Sequence, residues 1–156
     1  GKIAIPEQIL NKAGPLTAEE YEWVKQHVIT GAALLENSRG LRHLAPIVRH
    51  HHERWDGKGY PHGLRAYEIP QTARILALCD AGEAMLSDRP YQRGRSLEET
   101  ISELRRCSGT QFDPELVSAF IRVAQREGAT LIQNSSLTAN HQMHHRAMEL
   151  AVSTMR

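Results

Sequence analysis

HHHERWDGKGYP, residues 50–61, sets three consecutive histidines against an acid, an arginine and a tryptophan, then turns through two glycines into Tyr60-Pro61. Just upstream, Leu44, Ile47, Val48 and His51 fall at i, i+3, i+4 and i+7. On a helix that spacing turns His51 towards the core, and His52, four residues after Val48, lies beside it. His50 sits about 100° around the helix from His51 and is expected to be the exposed member of the three. Gly57 and Gly59 permit tight backbone turns that a side chain would block.

The segments on either side carry apolar residues at helical spacing. Thr17-Ala18-Glu19-Glu20 and Ser96-Leu97-Glu98-Glu99 both have capping-box form. The first opens a helix with Tyr21, Val24, Val28, Gly31 and Leu35 on one face. Pro70 predicts the first turn of another, with Ile75, Leu76, Cys79, Gly82 and Leu86 as its buried stripe. Asp113-Pro114 starts a helix through Leu116, Val117, Phe120, Ile121 and Ala124 that should end at Gly128. No alternating apolar run of useful length is present, so the expected fold class is all-α, a helical bundle. Gln133-Asn134-Ser135-Ser136 reads as a linker to an amphipathic tail, residues 128–156 forming a unit apart from 1–127. The weakly apolar tail face, Met143, Ala147, Leu150 and Thr154, needs cover from the domain or from a second copy in a homodimer. His141, His144 and His145 on that tail read as a solvated face, with capture of a stray transition metal as the sharper alternative.

At 156 residues, with 40% hydrophobic and 24% charged content, the chain is the size of one globular domain. A net charge of +1 and only 5% aromatic residues give no basis for a nucleic-acid groove. Cys79 and Cys107 lie in apolar helical patterns and form no metal-type pair, which fits a reduced, cytoplasmic setting. No apolar run approaches a membrane-spanning length.

Two further polar residues share the inward direction. His27 lies between Val24 and Val28, and Asp80, four after Leu76, borders the stripe of its helix. Inward histidines and a carboxylate are costly to desolvate unless something pairs with them, and a divalent cation would satisfy His27, His51, His52 and Asp80 together. The plainer reading makes each histidine a core residue bonded to a backbone carbonyl. For His27 alone the plainer reading is preferred; for adjacent His51 and His52 the metal reading is. Glu53, Arg54 and Asp56 either orient the metal histidines from behind or serve as turn and surface residues. Trp55 reads as a packing lid.

HHERWDGKGYPHGL, residues 51–64, resembles the signature of the HD-GYP domains, bacterial phosphodiesterases that open cyclic di-GMP. GKIAIPEQILNKAGPLTAEE at the start, KQHVITGAALL, RILALCDAGEAMLSDRPY and GTQFDPELVSAF resemble further family segments in the right order, covering roughly residues 1–127.

The resemblance implies a core cluster of two or three divalent metals, iron or manganese with zinc as the alternative, held by His27, His51, His52 and Asp80. It implies Lys2 and Arg89 as phosphate-binding groups, Lys2 and Asp80 as catalytic residues, and Gly59, Tyr60 and Pro61 as the loop over the substrate. Glu83 stands where the family usually has an aspartate, and Gln92-Arg93 where a lysine often follows the RPY turn. The HD pair, with an upstream glutamate and histidine, is expected before Gly1, so that the helical bundle lacks its N-terminal helices and the chain alone would not hydrolyse cyclic di-GMP at a useful rate. Implied partners are cyclic di-GMP and an upstream regulatory domain in the parent protein. The alternative is an inactive module that binds cyclic di-GMP or a GGDEF-type protein.

Overall fold

A computed structural model describes residues 5–12, 14–88 and 93–135, with side chains described through residue 126. Among these residues six α-helices form, joined by two short 3-10 turns and without a β-strand. They are α1 (Glu7–Leu10), α2 (Ala18–Glu36), α3 (Ala45–His50), α4 (Gln71–Leu86), α5 (Leu97–Arg106) and α6 (Pro114–Ser135). None of the described helices is long and apolar enough to cross a membrane.

The helix starts follow local chemistry. Thr17 Oγ1 accepts from Glu20 N at 3.2 Å while Glu20 Oε2 accepts from Thr17 N at 2.7 Å, which satisfies two otherwise orphaned amides at the head of α2. Ser96 and Glu99 repeat the arrangement on α5. Asp113 Oδ1 accepts from Glu115 N at 2.9 Å before α6, and its other oxygen pairs with Arg74 of α4, so this buried carboxylate joins two helices.

One core lies among α4, α5 and α6, where Leu78, Ala81, Ile101, Leu104, Phe112, Val117 and Ile121 are buried together. A second joins Ile5 and Val24, with Ile9, Leu10 and Leu16 against them. α2 packs on α3, which packs on α4. The chain therefore brings the middle of α2 and the end of α3 side by side.

Three expectations change. On α4 the buried residues are Ala73, Leu78, Ala81 and Gly82, whereas Ile75 and Leu76 are 41% and 39% exposed and Cys79 is exposed. The close approach of α4 to α6 requires glycine at position 82, where a Cβ would lie 2.8 Å from Phe120 Cζ. Secondly, α6 continues through Gly128 to Ser135, so the boundary expected at 127/128 falls inside a helix and residues 133–135 are not a linker. One helical glycine costs only about 1 kcal/mol, too little to stop a helix already propagating. Thirdly, α3 stops at His50, with His51 as its C-cap and His52 in the following turn, closed by Glu53 N donating to His50 O at 3.0 Å. The tail face of Met143, Ala147, Leu150 and Thr154 lies outside the described residues, as do His141, His144 and His145.

Candidate metal centre

His27, on α2, is 5% exposed and contributes one ring nitrogen to a group with His51 and His52 whose ligand atoms all lie within 4.8 Å of one another. The ring centroids are 5.6 Å apart for His27 and His51, 5.0 Å for His27 and His52, and 4.0 Å for His51 and His52. Two of these rings are oriented by main-chain carbonyls. His27 Nδ1 lies 2.6 Å from Val24 O, and His51 Nδ1 lies 2.7 Å from Val48 O. A carbonyl only accepts, so each Nδ1 carries a proton, and in the neutral ring each Nε2 then keeps its lone pair. The carbonyl-bonded histidine and the ligand histidine thus need not be alternatives: the bond that satisfies one nitrogen sets the other for coordination.

The turn after α3 is built from backbone contacts. Glu53, 5% exposed, accepts from His62 N at 2.8 Å and Leu64 N at 3.0 Å, so its carboxylate pins the far side of the loop. Asp56 takes both a fork from Arg54, at 3.0 and 2.9 Å, and Lys58 N at 3.1 Å. Burial alone would raise the Asp56 carboxyl, but the Arg54 guanidinium and the Lys58 amide hold it below the usual carboxylate range. These contacts shape the loop. The carbonyls of Val24 and Val48 orient the rings of His27 and His51.

Gly59 passes so close to the turn that a Cβ there would lie 2.5 Å from Glu53 Cα and 2.6 Å from His52 O, and against Arg54 N. Tyr60 N donates to His52 O at 3.2 Å, and the Tyr60 ring stacks on His52 with centroids 5.0 Å apart and planes 29° apart. Tyr60 also meets Tyr21 edge to face at 6.2 Å, and burial raises its phenol well above the ordinary tyrosine value. Lys25 Nζ, paired with Glu22 at 2.6 Å, lies 4.8 Å from the Tyr21 ring and 5.8 Å from the Tyr60 ring. Tyr21 and Lys25 were not singled out for this rim by the sequence pattern. Their signal was position alone, six and two residues before His27 on the same helix.

The loop is anchored at its outer edge as well. Trp55 N donates to Gln111 O at 3.1 Å and Asp56 N to Thr110 O at 2.8 Å, while Trp55 packs edge to face on Tyr67 under the Arg74 guanidinium. Asp80, half-buried on α4, is not within the 4.8 Å grouping of the three imidazoles. Lys2 and Arg89 lie outside the described residues.

Residues 1–116 match the family model of the HD domain. The chain belongs to the HD domain family. This HD domain is 46% identical over 125 residues to a cyclic di-GMP phosphodiesterase of Thermotoga maritima, covering 79% of the chain and 34% of that relative. It is 42% identical over 123 residues to a cyclic di-GMP phosphodiesterase of Pseudomonas aeruginosa, covering 78% of the chain and 30% of that relative. A cyclic di-GMP phosphodiesterase response regulator of Xanthomonas campestris pv. campestris is 43% identical over 124 residues, 78% of the chain and 33% of its own length. The chain thus spans about a third of the length of these curated relatives. The family implies divalent-metal binding, and the donor set fits it: three imidazoles converging from two segments, two of them with Nδ1 bonded to a carbonyl and Nε2 left to coordinate, suit a borderline transition ion.

Proposed function

We propose that this HD domain carries the histidine half of the active centre of a metal-dependent phosphodiesterase that hydrolyses cyclic di-GMP to pGpG or GMP. The observation that carries the reading is the convergence of His27, His51 and His52 beneath the Tyr60 loop in a chain whose curated relatives bear that activity in their names. A divalent ion, iron or manganese in the first instance, would supply Lewis acidity to a phosphodiester there. The three imidazoles hold it, with their proton positions set at Val24 O and Val48 O for His27 and His51. Tyr60 excludes water from the His52 side. Asp80 adds a carboxylate from α4, and its negative charge offsets a dication that neutral imidazoles do not. Lys2 and Arg89 grip the phosphates, the arginine by its planar fork.

Full turnover requires the HD pair that the family resemblance places ahead of Gly1, since a second ion needs further carboxylate. The test compares this chain with a version extended through that pair, each loaded with manganese, with cyclic di-GMP followed by chromatography. The extended protein is expected to convert the substrate. His52→Ala in it should lose both bound metal and turnover, whereas Arg89→Ala should lose turnover with metal content nearly unchanged. A metal-loaded extended protein that binds cyclic di-GMP without converting it would sink the enzymatic reading and leave a nucleotide-binding module.

A further inference from the structure

A second histidine pair faces outward from the same two segments. His50 Nε2 and His62 Nδ1 lie 3.2 Å apart, with ring centroids at 5.3 Å and planes at 49°. Neither residue belongs to the three-histidine group. We propose that His50 and His62 form a separate, solvent-facing site for one borderline divalent transition ion of the zinc, nickel or copper class, tying the end of α3 to the loop over the inner cluster. The inference stands apart from the phosphodiesterase reading and survives its failure.

The separation fits a shared ion. Two imidazole nitrogens each about 2.0–2.1 Å from one metal, at bond angles between a right angle and the tetrahedral value, stand about 2.8–3.4 Å apart. The rings are also held. His50 Nδ1 lies 2.8 Å from Pro46 O, so its proton is on Nδ1 and the Nε2 lone pair faces His62. His62 is fixed through its backbone by the buried Glu53 carboxylate at 2.8 Å. In the metal-free protein the pair is joined by a proton on His62 Nδ1 donated to His50 Nε2; when the ion binds, that proton passes through solvent to His62 Nε2, so the ring stays neutral and both facing lone pairs go to the metal. Arg49, the nearest cation in sequence, is turned to Glu36 at 2.6 Å.

Two protein ligands leave the remaining positions to water, so the site is weaker and more exchangeable than the inner one. Its position gives occupancy a consequence. His62 follows Tyr60 and Pro61, and His50 precedes His51 and His52, so the outer pair and the stacked His52 and Tyr60 join the same two segments at successive depths. An ion outside would hold the loop down over the cluster.

Titration of the metal-free chain with zinc chloride in a calorimeter tests this. Two phases are expected. His62→Asn and His50→Gln should each remove the weaker phase and leave the tighter one, whereas His27→Asn should do the reverse. Magnesium, which prefers oxygen ligands, should give no weaker phase. Amide exchange across residues 57–64 should slow during the weaker phase in the parent chain and not in His62→Asn. A weaker phase that persists in folded His62→Asn and His50→Gln, as it would if His141, His144 and His145 were its source, overturns the proposal. So does an unaltered exchange rate of the loop.

Discussion

Tyr60 lies face to face with His52, their centroids 5.0 Å apart, while the Tyr60 amide donates to the His52 carbonyl at 3.2 Å. Ring and backbone of one residue thus engage ring and backbone of the other. The loop following the histidines is a lid on one of them, and the contact is apolar on its face, since the buried phenol is held neutral.

Tyr60→Phe should keep the stack and leave zinc affinity at the cluster close to that of the parent. Tyr60→Ala should open the His52 side and weaken zinc binding by about tenfold, the order seen when groups behind metal ligands are lost. Competition against a chromophoric chelator measures both. Equal affinity in the two variants would show that the ring does not position His52.

Glu53 holds two loop amides from inside the protein. Glu53→Gln keeps one oxygen acceptor and should cost about 1.5–3 kcal/mol, the range for a hydrogen bond to a charged group. Glu53→Ala should cost more, because both amides lose their partner. Urea unfolding gives the order, and similar midpoints for the parent and Glu53→Ala would contradict it.

Gly59→Ala places a methyl group against the backbone of His52, Glu53 and Arg54, which cannot yield as a flexible side chain can. A loss of about 1–3 kcal/mol or more is expected, with displacement of the loop. The loss should exceed that of Gly14→Ala, where the added Cβ meets nothing within 4 Å. Thermal melts of the two variants make the comparison.

Asp56 has a carboxyl held below its ordinary value by Arg54 and Lys58 N. Its folded form binds a proton less readily than its unfolded form, so its contribution is present above the unfolded value of about 3.9 and is lost as pH falls through the folded one. Asp56→Asn should therefore be less stable than the parent at neutral pH, with the gap closing below about pH 4. Urea midpoints across that range test the sign. A gap that widens on acidification would refute it.

The sequence by itself determined what depends on near neighbours. The capping boxes of Thr17 and Ser96 and the Asp113 start form within three residues, so their partners are written beside them. The all-α class followed from periodicity, and membership of the HD domain family from motifs in fixed order. The inward direction of His27 was also local, set by Val24 and Val28 one turn away.

Tertiary structure decided the rest, because those outcomes depend on distances between segments that no spacing encodes. Which face of α4 is buried was settled by packing on α5 and α6, which takes in Leu78 and Gly82 and leaves Ile75 and Leu76 exposed. Glu53 found its partners in the returning chain, the amides of His62 and Leu64, nine and eleven residues on. The pairing of His50 with His62 across twelve residues arose from that same return: a buried carboxylate needs donors, and in finding them it brings an outer histidine to each side of the turn.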